Sequence, residues 1–186
     1  ISSEQMRCWK SNGLTDAHIA DALSGYPASG WRIKEPGKTE FDVMARRHEL
    51  DIHPVYRMVD SCAAEFAAVT PYYYSTYEPN GDLGIDMVTQ PRKTSDQGEE
   101  ARRLVVIGSG PIRIGQGIEF DYGAVHAVQA IREVGHEAIL INNNPETVST
   151  DFDTSDRLYF DPLTLECVAE ILLREGADGI LLQFGG

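Results

Sequence analysis

The sequence predicts an α + α/β chain, a helical first part followed by an open parallel sheet with crossover helices. Three observations predict it. Before residue 50, apolar residues recur at helical spacing behind threonine caps. Over residues 79–102, "PNGDLGIDMVTQPRKTSDQGEEAR", that periodicity vanishes while Pro, Gly, Asp and Ser accumulate. From Arg103 onward, short apolar runs alternate with amphipathic segments, the pattern of parallel strands joined by right-handed crossovers.

In "GLTDAHIADALSG", Thr15 is the expected N-cap, Ile19 and Leu23 lie four apart, and Gly25 follows the end. "KTEFDVMARRHELDI" offers Thr39 as cap with Asp42 three residues later, a capping box with Asp in place of the usual Glu. Trp31 lies in a turn-rich connection between these helices, and an alanine-rich helix is expected over 59–71, stopped by Pro71. "PYYYSTYE" is rich in β-formers and reads as extended. Residues 1–78 are therefore read as a mostly helical domain and 79–102 as a linker. In 103–186, "RLVVIG", "EAILIN", "RLYF" and "GILLQF" are the expected strands. "YGAVHAVQAIREVG" and "TLECVAEILLREG" are the helices, the second capped by Thr164 and closed by Gly176.

Bulk properties exclude several classes. The net charge is −13, and residues 104–186 carry only 4 basic against 13 acidic side chains, so a nucleic-acid partner is not expected. No apolar run is long enough to cross a bilayer. Cys8, Cys62 and Cys167 are odd in number and widely spaced, which favours reduced thiols in a cytoplasmic protein. The five histidines show no metal-ligand spacing, and no metal site is expected. The chain opens on Ile1 and stops at "QFGG", so it is expected to be a piece of something longer.

The densest chemistry lies in "VVIGSGPIRIGQGIEFDY", residues 105–122, where a strand runs into a glycine-rich loop. A dinucleotide fingerprint would need a glycine where Arg113 stands, and an acid where the second strand ends in Asn142, Asn143 and Asn144. A phosphate-binding P-loop would need a lysine at Gln116. Asp151, Asp153 and Asp156 alternate like calcium ligands but lack the glycine and terminal glutamate of an EF-hand. Loops after parallel strands share one edge of a sheet, so Glu119, Glu146 and Arg113 are expected at a common rim, with "QFGG" arriving there as well. Taken singly, the glycines also fit tight turns and the glutamates solvated surface acids.

Three strings decide between these readings: "GSGPIRIGQGIEFDY", "NNNPETVSTDFDTSDRLYFDPLTLE" and "ILLQFGG". Together they resemble the carbamoyl phosphate synthetase large-subunit family, at the start of its second, carbamate-phosphorylating half. "YRMVDSCAAEFAAVTPYYYSTYE" resembles the end of that family's helical oligomerisation domain. The resemblance implies a C-terminal part of an oligomerisation domain at 1–78. It implies a Rossmann-like pre-ATP-grasp domain at 103–186, truncated at its C-terminus. It implies a carbon–nitrogen ligase of arginine and pyrimidine synthesis that uses bicarbonate, glutamine-derived ammonia and two ATP. Glu119 and Glu146 then correspond to glutamates lining the carbamate route, with Arg113 on the same rim. Gly108, Gly110, Gly115, Gly117, Asn144, Gly185 and Gly186 would supply loop backbone beside it.

No catalytic residue is expected in this chain, and no cofactor bound by it. ATP, Mg2+ or Mn2+, and K+ belong to the full enzyme, as do the ATP-grasp domains, a glutaminase small subunit and homo-oligomer contacts through the helices. Burial and mutual repulsion are expected to raise the pKa of one rim glutamate, letting a neutral carboxyl relay a proton. The rival readings are a purely structural oligomerisation module and an independent dinucleotide-binding module.

Overall fold

The computed structural model describes residues 1–25, 37–59, 70–78, 91–94, 98 and 100–182. Trp31, Cys62, most of the helix expected over 59–71, and the "QFGG" terminus with Gly185 and Gly186 lie outside the described residues. The chain divides into two compact units, Ile1–Val55 with Thr76–Asp82, and Tyr56–Ser75 with Leu83–Gly186. Among the described residues, no helix is long and apolar enough to cross a membrane.

The first unit holds helices α1 (Ser3–Ser11), α2 (Asp16–Leu23) and α3 (Glu40–Glu49). The caps fall where the sequence puts them: Thr15 accepts from the His18 amide, and Thr39 and Asp42 exchange bonds in a complete capping box. α1 is an element the apolar pattern did not delimit, because Met6 and Trp9 are its only large apolar residues; a Ser2–Gln5 capping box starts it. Met6, Ile19, Ala20, Val43 and Ile52 form the core. Beside it, buried Asp16 accepts from Arg47 Nη2 at 2.9 Å and pairs with Lys10 Nζ at 3.2 Å. The Tyr77 ring lies under both cations.

Six strands form one sheet: β1 (Val55–Met58), β2 (Tyr72–Thr76), β3 (Arg103–Ile107), β4 (Glu137–Ile141), β5 (Arg157–Tyr159) and β6 (Gly179–Leu181). Their order is β1-β2-β5-β4-β3-β6, and the pairs β2–β5, β5–β4, β4–β3 and β3–β6 are all parallel. Helices α4 (Glu119–Glu133) and α5 (Leu165–Glu175) supply the crossovers. Every residue of β4 is buried, as a central strand covered on both faces requires. Ala138 and Leu140 pack with Ala124, Val128 and Ile131 of α4, while Ile139 and Ile141 pack with Ile171 of α5. This alternation is the two-residue period of a strand acting through both layers.

The division expected at residue 78 is not where the compact units part. β1 and β2 lie inside the stretch read as a helical domain, yet they extend the sheet. The reason is aromatic burial: Tyr56 and Tyr73 pack on Tyr159, with ring centroids 5.2 and 5.5 Å away. The described end of the expected linker is likewise fastened to the second unit. Lys93 N–H donates to Glu137 Oε1 at 2.6 Å, Arg92 pairs with Asp178, and Ala101 is buried.

At the N-terminal edge of the sheet, the first residues of β3, β4 and β5 form a buried ionic group with the last residue of α5. Glu137 Oε2 accepts from Arg157 Nη2 at 2.7 Å and from Arg103 Nε at 3.1 Å. Glu175 Oε1 accepts from Arg157 Nε at 2.9 Å and from the Tyr159 hydroxyl at 2.5 Å. Two arginines face two glutamates, so the charges balance where water is excluded.

Candidate functional site

Adjacent parallel strands deliver their following loops to one edge. β3 and β4 pair in register from Arg103↔Glu137 to Ile107↔Ile141, so loops 108–118 and 142–156 both leave from the carboxyl edge. The chain then steps from β3 to β4 and β5 on one side and returns to β6 on the other side of β3. That reversal makes the end of β3 a topological switch point, the usual ligand position in an open α/β sheet.

Five amides of the glycine loop are paired within the protein. Gly108 N–H donates to Ile141 O at 2.8 Å, Gly110 N–H to Asn142 Oδ1 at 3.0 Å, and Arg113 N–H to Gln116 Oε1 at 3.1 Å. Gln116 N–H returns to Arg113 O at 3.0 Å, and Gly117 N–H donates to Glu119 Oε1 at 3.2 Å. A phosphate cradle needs such donors unpaired and aimed at the ligand. Here the Arg113, Gln116 and Gly117 amides close local turns, the Gly108 and Gly110 amides tie the loop to the end of β4 and to Asn142, and Gly110 and Gly115 take positive φ.

Each expected rim residue can now be placed. α4 begins at Glu119, three residues earlier than the apolar pattern placed it, because Glu119 and Asp121 suit the positive end of a helix dipole. Glu146 sits just before the 3-10 turn Val148–Thr150, and its N–H donates to Asn144 Oδ1 at 3.1 Å. Glu119, Glu146 and Arg113, with Gly108, Gly110, Gly115, Gly117 and Asn144, thus lie in or beside the loops that leave the carboxyl edge. Glu119, Glu146 and Arg113 are all exposed. The burial expected to perturb a rim glutamate is not provided by the described residues of this chain.

Three buried polar residues were not among the expected site residues. Asp121 is 1% exposed and accepts from Ser149 N–H at 2.7 Å and Ser149 Oγ at 2.5 Å. Asn142 is fully buried, and its Nδ2 donates to Ser149 Oγ at 3.3 Å. Nothing in the sequence singles out Asp121, and Asn142 stands there where a dinucleotide fingerprint needs an acid. The available signal was Gly108, which leaves room for Asn142.

Asp161, after β5, is also buried. Burial pushes its carboxyl above the usual aspartate range, and the Ser75 hydroxyl and amide on Oδ1 oppose that only in part. Asp156 is committed elsewhere, accepting from Lys93 Nζ at 2.5 Å and from Ala138 N–H at 2.8 Å, which removes it from any calcium set with Asp151 and Asp153.

The exposed acids Glu119 and Glu146 repel a polyphosphate rather than gather it. The chain's family agrees. Residues 100–186 match the model described as the carbamoyl phosphate synthase pre-ATP-grasp domain. Over all 186 residues the sequence is 49% identical to the carbamoyl phosphate synthase large chain of Rubrobacter xylanophilus.

The chain belongs to the carbamoyl phosphate synthase large-chain family.

Similar identity extends to the large chains of Methanosarcina mazei, 49% over 185 residues, and Myxococcus xanthus, 47% over 186. The match takes in 98–100% of this chain but only 15–16% of those relatives' length. The resemblance seen in the sequence strings therefore holds along the whole chain, the helical unit included.

Proposed function

We propose that this chain serves within a large-chain ligase that makes carbamoyl phosphate from bicarbonate, glutamine-derived ammonia and two ATP. Its second unit supplies part of the wall of the route that carries carbamate to the second phosphorylation. Its helical unit serves association between subunits. The observation that supports this reading is the carboxyl edge of a family pre-ATP-grasp sheet, from which two loops lead to exposed Glu119 and Glu146.

Carbamate decomposes quickly in water, so a closed route protects it. Ile112, Ile114, Ile118 and Tyr122 stand exposed on and beside the same loop. An apolar surface of that kind fits a face covered by further protein, such as ATP-grasp domains. Once covered, Glu119 and Glu146 lose solvent, and the energetic cost of ionising a carboxylate there rises. One then takes up a proton and can pass it to carbamate, which travels as the neutral acid; Arg113 offers an ionic hold instead.

ATP, Mg2+ or Mn2+, and K+ bind outside this chain in this reading, and the chain alone carries no catalytic residue. A glutaminase subunit supplies the ammonia, and the setting is cytoplasmic. The test is coupling in a full-length large chain carrying this sequence. Glu119→Gln and Glu146→Gln should raise the ATP consumed per carbamoyl phosphate formed. Unimpaired coupling in both variants removes the route-lining role.

A purely structural role is the second reading, favoured by the capped helical unit with its own core. It predicts concentration-dependent self-association of the chain by light scattering, with coupling untouched by either glutamate substitution.

A further inference from the structure

Below the exposed rim, one continuous run of hydrogen bonds joins the two loops. Glu146 N–H donates to Asn144 Oδ1 at 3.1 Å, and Asn144 N–H donates to Asn142 Oδ1 at 3.4 Å. Gly110 N–H reaches that same Asn142 oxygen at 3.0 Å. Asn142 Nδ2 donates to Ser149 Oγ at 3.3 Å, and the Ser149 hydroxyl donates to Asp121 Oδ1 at 2.5 Å. Ser149 N–H occupies the other Asp121 oxygen at 2.7 Å. Asp121 lies two residues after Glu119, in the first turn of α4. The run therefore starts at one rim glutamate and ends within a helical turn of the other.

The helix dipole accounts for an acid in this turn but not for its burial. Ile118 is the N-cap residue and makes no side-chain bond, and Glu119 already places a charge at the dipole. A buried carboxylate is costly unless its oxygens are satisfied, and both Asp121 oxygens are satisfied by one residue of the opposite loop. Gly108 completes the fit: a Cβ there would stand 2.5 Å from Asn142 Cγ, so the strand end is kept bare for the amide. The buried polar groups meet each other across the two loops, and a fully satisfied buried polar network rigidifies the groups it joins.

We propose that Asp121, Ser149 and Asn142 are positioning residues that hold Glu119 and Glu146 at a set separation across the carboxyl edge. The inference rests on the reading of that edge as a carbamate route. A passage that shields a fragile anion depends on the placement of its lining groups, and a displacement of about 1 Å can cost on the order of a hundredfold.

Ser149→Ala is the gentlest cut, since it removes only the shared hydroxyl. Amide hydrogen exchange in the intact protein should quicken about tenfold or more at Gly110, Asn144 and Glu146, with Val105–Ile107 and Ile139–Ile141 unchanged. Unchanged exchange at Gly110 and Glu146 overturns the tie. In the full-length ligase, Ser149→Ala should raise ATP consumed per carbamoyl phosphate, a ratio that a uniform loss of folded protein leaves alone. Asp121→Asn keeps an acceptor for Ser149 N–H and should be less uncoupled than Asp121→Ala; equal uncoupling of the two argues against positioning.

If Glu119→Gln and Glu146→Gln uncouple while Ser149→Ala does not, the positioning role is overturned and the route stands. If no variant uncouples, the route reading falls, and the positioning role falls with it.

Discussion

A Cβ placed on Gly108 would stand 2.5 Å from Cγ of Asn142 and 2.8 Å from its Cβ. The glycine at the end of β3 is thus needed for space and not for φ, since its backbone is not among the positive-φ positions. Gly108→Ala should push Asn142 from its partners and destabilise the second unit by about 1–3 kcal/mol, read as a lower denaturant midpoint. Gly115→Ala makes the contrast. Nothing lies within 4 Å of a Cβ there, and its φ of 90° is the sole obstacle, so the loss should be about 1 kcal/mol.

Asp16 is fully buried between Arg47 and Lys10. Asp16→Ala leaves both cations without their shared carboxylate in a water-free site. The expected cost is about 3–5 kcal/mol, concentrated in the first unit. Chemical denaturation followed through Trp9, which packs on that unit's core, reports it. A change below about 1 kcal/mol would show that the cations find solvent when the acid is removed.

Glu137 carries a pH dependence of defined sign. Burial alone would raise its carboxyl, but the Lys93 amide, Arg157 and Arg103 outweigh burial and hold it below the ordinary value of 4.5. A carboxyl depressed in the folded state contributes stability above its unfolded pKa, and that contribution fades as pH falls through the folded value. The stability gap between the parent and Glu137→Gln should therefore be full at about pH 6 and shrink below about pH 4. A gap that widens with acid would reverse the assignment.

The chain alone should not bind ATP tightly, because Gln116 stands where a phosphate-binding loop needs its lysine, and the amides at Gly108, Gly110, Arg113 and Gln116 are already paired. Calorimetric titration with ATP and Mg2+ should give no stoichiometric heat. A one-to-one isotherm in the micromolar range would place a nucleotide site within this chain.

Much of this architecture is legible in the residues. Thr15, Thr39 with Asp42, Thr164 and Gly176 mark helix ends through bonds made within a few positions, and each functions as written. The strands from Arg103 to Ile107 and from Glu137 to Ile141 declare themselves by apolar runs that only a two-sided sheet can bury. Placing Glu119 and Glu146 on one edge follows from parallel connectivity alone. The membership of β1 and β2 in the sheet is not legible, because Tyr56 and Tyr73 find their burial on Tyr159, some hundred residues away. Nor is the committed role of Asp156, which looked like one ligand of an alternating acidic run and instead receives Lys93 and the Ala138 amide.

The sequence by itself determined the capped helices, the strand–helix alternation, the family and the shared edge of the two acidic loops, since all of these depend on local bonding or on chain order. Only the tertiary structure decided that Asp121 is buried and tied to Ser149, that Asn142 spends its amide on Gly110, and that Glu119 and Glu146 remain in solvent. Whether a polar side chain is hydrated or satisfied inside depends on which distant groups fold against it, and composition and spacing carry no record of that.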